Sequence, residues 1–191
     1  YTPPLQAVDK IVIVRGAAAL QFGPQFGGML NFKLQEAPEK KTLALRTEQT
    51  IGSYGLLSTF NQIGGRINKV AYHVYSQFKK GDGWRANSEF DARNIFGKVD
   101  YHVNTKLTLS GEFTHMHYLA HQPGGLTDTQ FSRDPTQSLR SRNWFKVDWN
   151  LAAVKAKWEI NTSNLIETQV YGLSASREAL GFLGLITRVD P

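Results

Sequence analysis

From Thr42 onward apolar and polar residues alternate with a period of two, the spacing that sends successive side chains to opposite faces of a β-strand. Val70, Tyr72, Val74 and Phe78 alternate with Ala71, His73, Gln77 and Lys79, and Ile95, Val99, Tyr101 and Val103 with Phe96, Lys98, Asp100 and His102. Leu107, Leu109 and Phe113 alternate in the same way with Thr108, Ser110, Glu112 and Thr114. Farther on, Phe145, Val147, Trp149 and Leu151 oppose Lys146, Asp148 and Asn150, and then Val154, Ala156, Trp158 and Ile160 oppose Lys155, Lys157 and Glu159. The apolar face thus changes parity near Ala152-Ala153, as a bulge would make it do. Weaker alternation over 42–50, 54–63 and 165–176 completes the set. The segments are about as long as the roughly 9–11 residues that a tilted strand needs to cross a bilayer.

The connections between these segments alternate in length. Gly64 to Asn68, Asn104-Thr105 and Asn161 to Asn164 read as tight turns containing Gly or Asn, which tolerate positive φ. Longer connections lie between them, from Gly81 to Phe90, from Ala120 to Asn143, and from Arg177 onward, while Gly52-Ser53 is a short exception. An antiparallel meander with short turns at one end and long loops at the other predicts an outer-membrane barrel. Trp84, Tyr118, Trp144, Trp149 and Trp158 near segment ends are expected to supply its aromatic girdles.

The first 35 residues read differently. Ile11-Val12-Ile13-Val14 is a β-branched strand that stops at Arg15-Gly16 and passes through Ala17-Ala18-Ala19. The chain turns at Phe22-Gly23-Pro24-Gln25-Phe26-Gly27-Gly28 and returns as the strand Met29 to Leu34. Both ends of the 191 residues look cut, which suggests part of a larger polypeptide.

Composition narrows the choice further. With no cysteine, neither a disulfide framework nor a thiolate metal site is possible. The formal net charge of +6 comes from Lys and Arg scattered through strands and loops, without the stripe a nucleic-acid binder would carry, so no nucleic-acid partner is expected. No stretch approaches the ~20 consecutive apolar residues of a transmembrane helix. No catalytic set emerges: Gly52-Ser53-Tyr54-Gly55 lacks nucleophile-elbow spacing and Gly81-Asp82-Gly83 lacks the rest of a calcium loop. His115, His117 and His121 have no carboxylate cluster beside them in sequence and are not assigned to a metal.

The run Asp9 to Gly16, followed by Leu20-Gln21-Phe22-Gly23-Pro24-Gln25-Phe26-Gly27-Gly28-Met29-Leu30-Asn31-Phe32, resembles the end of the plug domain in TonB-dependent outer-membrane receptors, and most nearly their ferric-citrate branch. In that pattern a tyrosine usually stands in place of Phe22 and an arginine in place of Gln21. The resemblance implies an all-β chain: a transmembrane antiparallel barrel, represented by about seven strands over 42–191, preceded by the C-terminal part of an internal plug over 1–35 and a linker over 36–41. It implies a receptor in the outer membrane of a Gram-negative bacterium that imports a ferric chelate, citrate or a siderophore, with no cofactor of its own. Its partners would be a TonB-type energy-transducing complex in the periplasm, outer-membrane lipid and lipopolysaccharide. Import of another nutrient such as an oligosaccharide is the alternative, with a soluble β-sandwich binding module behind it.

The plug apex carries Gln25, which can donate to and accept from a chelate rich in carboxylate and hydroxyl groups, with Gln21 a second candidate on the same segment. The bland alternative is a turn whose glycines and proline set geometry while Gln25 is solvated. Arg85, Arg133, Arg140 and Arg142 lie in the long connections, where planar guanidinium groups could hold carboxylates or could be merely solvated.

Overall fold

The computed structural model describes residues 2–16, 27–182, 184–186 and 188–189. The apex with Gln21 and Gln25 lies outside the described residues. A 3₁₀ turn at Leu5–Ala7 leads into β1 (Val8–Val14), which pairs antiparallel with β2 (Met29–Leu34) in a sheet of two strands. The other seven strands form one antiparallel meander: β3 (Ala44–Ile51), β4 (Leu57–Ile67), β5 (Val70–Gly81), β6 (Phe90–His102), β7 (Leu107–His121), β8 (Trp144–Asn161) and β9 (Asn164–Leu180). The sheet is not closed, and each strand pairs with its neighbours in sequence. A single seven-stranded sheet is the architecture expected of a barrel segment and excludes a sandwich of two packed sheets.

The uneven connections are as the sequence predicts. Asn68-Lys69, 103–106 and 162–163 close one end, while 82–89 and 122–143 project from the other together with the short 52–56. One boundary differs. Gly64 to Ile67 is not a turn but the last part of β4, whose register with β5 runs unbroken from Leu57↔Lys80 to Ile67↔Val70. The two glycines serve the incoming chain instead. A Cβ on Gly65 would fall on the Thr42 carbonyl, and one on Gly64 would lie 3.2 Å from Pro38 Cδ. Their absence lets residues 38–42 lie against the sheet, where Lys41 O accepts from Arg66 N at 2.8 Å and Thr42 O from the Tyr72 hydroxyl at 2.9 Å.

The parity change in β8 is not a bulge. Pairing passes through Glu112↔Ala153 and Phe113↔Ala152 on one side and Ala152↔Gly172 and Ala153↔Tyr171 on the other without a register shift. Both faces of the sheet change character instead. In the half near the short turns, Ile63, Val74, Val99, Leu109, Phe113, Val154 and Trp158 point outward and are 37–65% exposed. The inward face of that half carries charge: Lys155 Nζ lies 2.8 Å from Glu112, Lys98 Nζ lies 3.3 Å from Asp100, and the Ser110 hydroxyl donates to Asp100 at 2.5 Å. Toward the long loops the outward face becomes polar, with Asp91–Arg93 at 2.9 Å, His117–Asp148 at 2.6 Å and Lys146 between Asp148 and Glu178 at 3.4 and 3.5 Å. On β3 and β4 the same level holds Thr47, Gln49, Thr59 and Asn61, which satisfy one another at 2.9–3.2 Å. Strands that leave an apolar medium for water require this exchange, because their outward side chains change solvent while their register continues.

The most buried residues lie where the first hairpin meets the wall. Phe60, Tyr75 and Phe96 project inward from β4, β5 and β6, with Tyr75 and Phe96 stacked at 5.2 Å between centroids, and Ala7 and Leu34 pack against them. His73 is 1% exposed in the same patch. Around this patch the contact is polar. Gln6 O accepts from Arg46 at 3.0 Å and from Gln35 at 3.1 Å, Gln62 donates to Gln35 at 3.1 Å, and Lys98 faces Glu36 at 3.8 Å.

Candidate functional site

The long-loop end carries a layer of tied loops. Residues 122–143 include a short helix, α1 (Asp128–Arg133), started by a capping box in which Thr127 and Gln130 satisfy each other's backbone N–H groups. Beyond it Asp134 accepts from the Thr136 hydroxyl at 2.7 Å and from the Thr136 N–H at 2.9 Å. The hydroxyl bond first, then the backbone one, holds the Asp134 carboxyl below the usual carboxylate range.

Two of the candidate arginines join these loops to each other. Arg85 donates to Gly124 O at 2.9 Å and to Gln137 O at 2.8 Å, binding 82–89 to 122–143. Arg140 is 7% exposed, its guanidinium is 4.9 Å from the Phe182 ring centroid, and it donates to the carbonyls of Leu139 and Leu185 at 2.9 Å and to that of Arg188. Arg133, at the end of α1, and Arg142 are exposed on the same layer. The residue that sequence reasoning missed is Asn87. Its φ of 57° places it in the left-handed region, and its side-chain amide donates to the carbonyls of Arg140, Asn143 (3.1 Å) and Gln122 (3.3 Å) while its oxygen lies 2.8 Å from His121 Nδ1. An Asn six residues after a strand's end, between Gly83 and the next strand, was the available signal.

Beneath this layer the inward face of β6 to β8 is mostly apolar. Ala92, Tyr118 and Val147 form one cross-strand row, flanked by Phe90, Ala120 and Phe145 on the loop side and by Asn94, Met116 and Trp149 on the other. Tyr118 and Trp149 therefore face inward and are not girdle residues, whereas Trp144 and Trp158 stand on the outward side near the two ends of β8. The row continues into Lys79 of β5 and Arg177 of β9. Lys79 Nζ lies 5.6 Å from the Phe90 ring centroid and Arg177 Cζ 4.7 Å from that of Phe145. Gln77, Lys79, Met116, Tyr118, Phe145 and Val147, with Pro4 and Gln6 opposite, line a cavity of about 890 Å³. Among the described residues no group of three His, Cys, Asp or Glu side chains is arranged to hold a metal, and His115 and His117 point outward.

No protein-family model matches the chain. Among solved structures, the chain is similar to the ferric citrate transporter FecA in its unliganded form, with a TM-score of 0.83 and 22% identity over 94% of this chain and 28% of that one. It is also similar to a chain in the FpvAI–pyocin S2 complex, with a TM-score of 0.74 and 12% identity over 87% of this chain and 23% of the other. The chain thus spans about a quarter of the length of the structures it matches. Its fold is similar to that of a segment of the ferric citrate transporter FecA.

Proposed function

We propose that this chain is the end of the plug and the first part of the barrel of a TonB-dependent outer-membrane receptor that imports a ferric chelate, with plug residues over 1–35, a linker over 36–41 and barrel from 42 onward. The observation that carries this reading is the base of the β1–β2 hairpin, Gln6, Ala7 and Leu34 to Glu36, packed against the inner face of a one-layer wall whose outward face is apolar in the short-turn half. A sheet with an apolar outward face, anchored from within to a separate small sheet, suits a plugged barrel better than a water-soluble domain. The likeness to FecA supports the outer membrane of a Gram-negative bacterium as its location.

The seam between hairpin and wall suits a plug that must move. Among the described residues, Ala7 and Leu34 bury apolar surface against the aromatic patch, and around them lie hydrogen bonds among Gln6, Gln35, Arg46, Gln62 and Gln77 and the Glu36–Lys98 pair. Each such bond contributes only about 1 kcal/mol net, because water replaces it when the joint opens. A TonB-type complex pulling from the periplasm would break them singly, and chelate held at the loop end would then pass. Gln25 and Gln21 at the apex, with Arg133 and Arg142 on the loop layer, are the candidate ligand contacts. For Arg85 and Arg140 the bonds to backbone carbonyls favour a positioning role.

Deleting the full-length gene tests the reading: growth on a ferric chelate as the sole iron source should fail, and should also fail when the energy-transducing complex is removed. Undiminished uptake of radiolabelled iron across citrate and several siderophores would remove it. An oligosaccharide importer is the second reading, favoured by Tyr118, Phe145 and Trp149 on the inner wall, since sugars stack on aromatic faces. Calorimetry on the whole receptor separates the two, because a glycan receptor gives no heat with ferric chelates.

A further inference from the structure

Resting on the chelate-import reading, we infer that the wall formed by Tyr118, Phe145, Val147 and Trp149 and flanked by Lys79 and Arg177 is a ligand face for an anionic ferric chelate bearing aryl groups, and not for a compact aliphatic polycarboxylate. These residues occupy the inward face of the long-loop half, the side that a ligand entering from the loop end meets. A carboxylate-only ligand would find its charge partners only at the two flanks, Lys79 and Arg177, and would desolvate against Ala92, Val147 and Phe145 between them without gaining hydrogen bonds there, which is unfavourable. An aryl-bearing ligand gains both apolar burial and offset or edge-on ring contacts there.

The cations fit the same occupant. Lys79 and Arg177 end the row that crosses Ala92, Tyr118 and Val147, four strand spacings or about 19 Å apart. Each rests on an aromatic ring, Phe90 or Phe145, so the wall is apolar at its centre and positive at both sides. Two of the loop arginines that could have offered bidentate sites to a polycarboxylate, Arg85 and Arg140, are committed to backbone carbonyls. The cavity of about 890 Å³ against this wall falls within the range of small-molecule sites.

The test uses the full-length receptor in detergent and three probes: a ferric tris-catecholate, ferric citrate and an aliphatic ferric tris-hydroxamate. Binding is read by calorimetry and uptake by radiolabelled iron. The expected order places the tris-catecholate at least about tenfold tighter than either aliphatic chelate, the scale of one or two aromatic contacts. Phe145→Leu and Tyr118→Leu should each weaken the aryl chelate by about tenfold while changing the aliphatic ones less than about twofold, and Lys79→Gln with Arg177→Gln should reduce its salt dependence. Tighter binding and uptake of citrate or the hydroxamate by the unmodified receptor overturns the inference and leaves chelate import standing. Binding of the catecholate that is indifferent to both Leu variants overturns it as well, showing the wall covered by other parts of the chain. If no ferric chelate binds or enters, the inference and the import reading fall together.

Discussion

Asn87 and Arg140 carry an unusual share of the loop layer's order, because each supplies several donors to carbonyls of segments distant in sequence. Asn87 reaches Gln122, Arg140 and Asn143, and Arg140 reaches Leu185 and Arg188. Truncating either leaves several carbonyls without partners, a loss of about 2 kcal/mol or more in local loop stability. Asn87→Ala and Arg140→Ala are therefore expected to speed proteolysis within 122–143 by at least about tenfold while the barrel's thermal transition stays put. A transition lowered as much as the loop is loosened would show instead that the ties serve the wall. Asp134 gives a pH-dependent counterpart. Its folded carboxyl is held below the ordinary carboxylate value by Thr136, so its contribution is complete above that ordinary value and is lost as pH falls through the folded one. Backbone amide protection at Thr136 should fade below about pH 4 in the parent and be weak at every pH in Asp134→Ala. The arginines were visible in the sequence as loop cations, but whether a guanidinium meets a ligand or a carbonyl depends on which loops lie side by side. No local pattern encodes that, and the structure alone shows Arg85 and Arg140 tied to backbone carbonyls.

At the level of elements, β8 records two environments in one strand. Its outward residues change from Trp158, Ala156 and Val154 to Asn150, Asp148 and Lys146, while its inward ones change from Lys157 and Lys155 to Leu151, Trp149, Val147 and Phe145. The period-two signal made the strand legible in the sequence, and so did its approximate ends. The reason for its parity change was not legible, since a slipped register and a change of solvent leave the same alternation in a single chain. Pairing with β7 and β9 rules out the slipped register, and pairing with β5 rules out the turn that glycine content alone suggested at Gly64-Gly65. The two causes predict different mutational costs. If the wall lies in the membrane as proposed, an arginine at outward Val154 meets hydrocarbon and should cost about 2–4 kcal/mol, whereas one at Asn150 should cost about 1 kcal/mol or less. Reversible unfolding of the full-length receptor into lipid vesicles measures both. Equal costs at the two positions would contradict the placement of the lipid boundary between them.

At the scale of the whole molecule, the described residues link the hairpin and the wall through an apolar contact ringed by exchangeable hydrogen bonds. The period-two pattern made the wall legible in the sequence, and the runs Ile11 to Val14 and Met29 to Leu34 made the hairpin legible, along with their order. The contact was not, because Phe60, Tyr75 and Phe96 sit on the inward face that alternation marks as polar, and only the packing of Ala7 and Leu34 against them explains aromatic residues there. Ala7 is fully buried and has no room for a polar group, so Ala7→Asp places a carboxylate against three aromatic rings at a cost of several kcal/mol. Where the carboxyl is not neutralised by protonation, that cost is relieved by hairpin detachment or by failure of the wall to assemble. The seven strands pair through their own backbone ladders, independently of Ala7, which favours detachment. The variant of the full-length receptor should therefore reach the outer membrane and keep its heat-modifiable migration, yet admit large hydrophilic antibiotics that the parent excludes. Loss of the heat-modifiable form would instead make the hairpin a template on which the wall folds, and an intact permeability barrier would mean that other plug contacts, beyond this patch, hold the lumen closed.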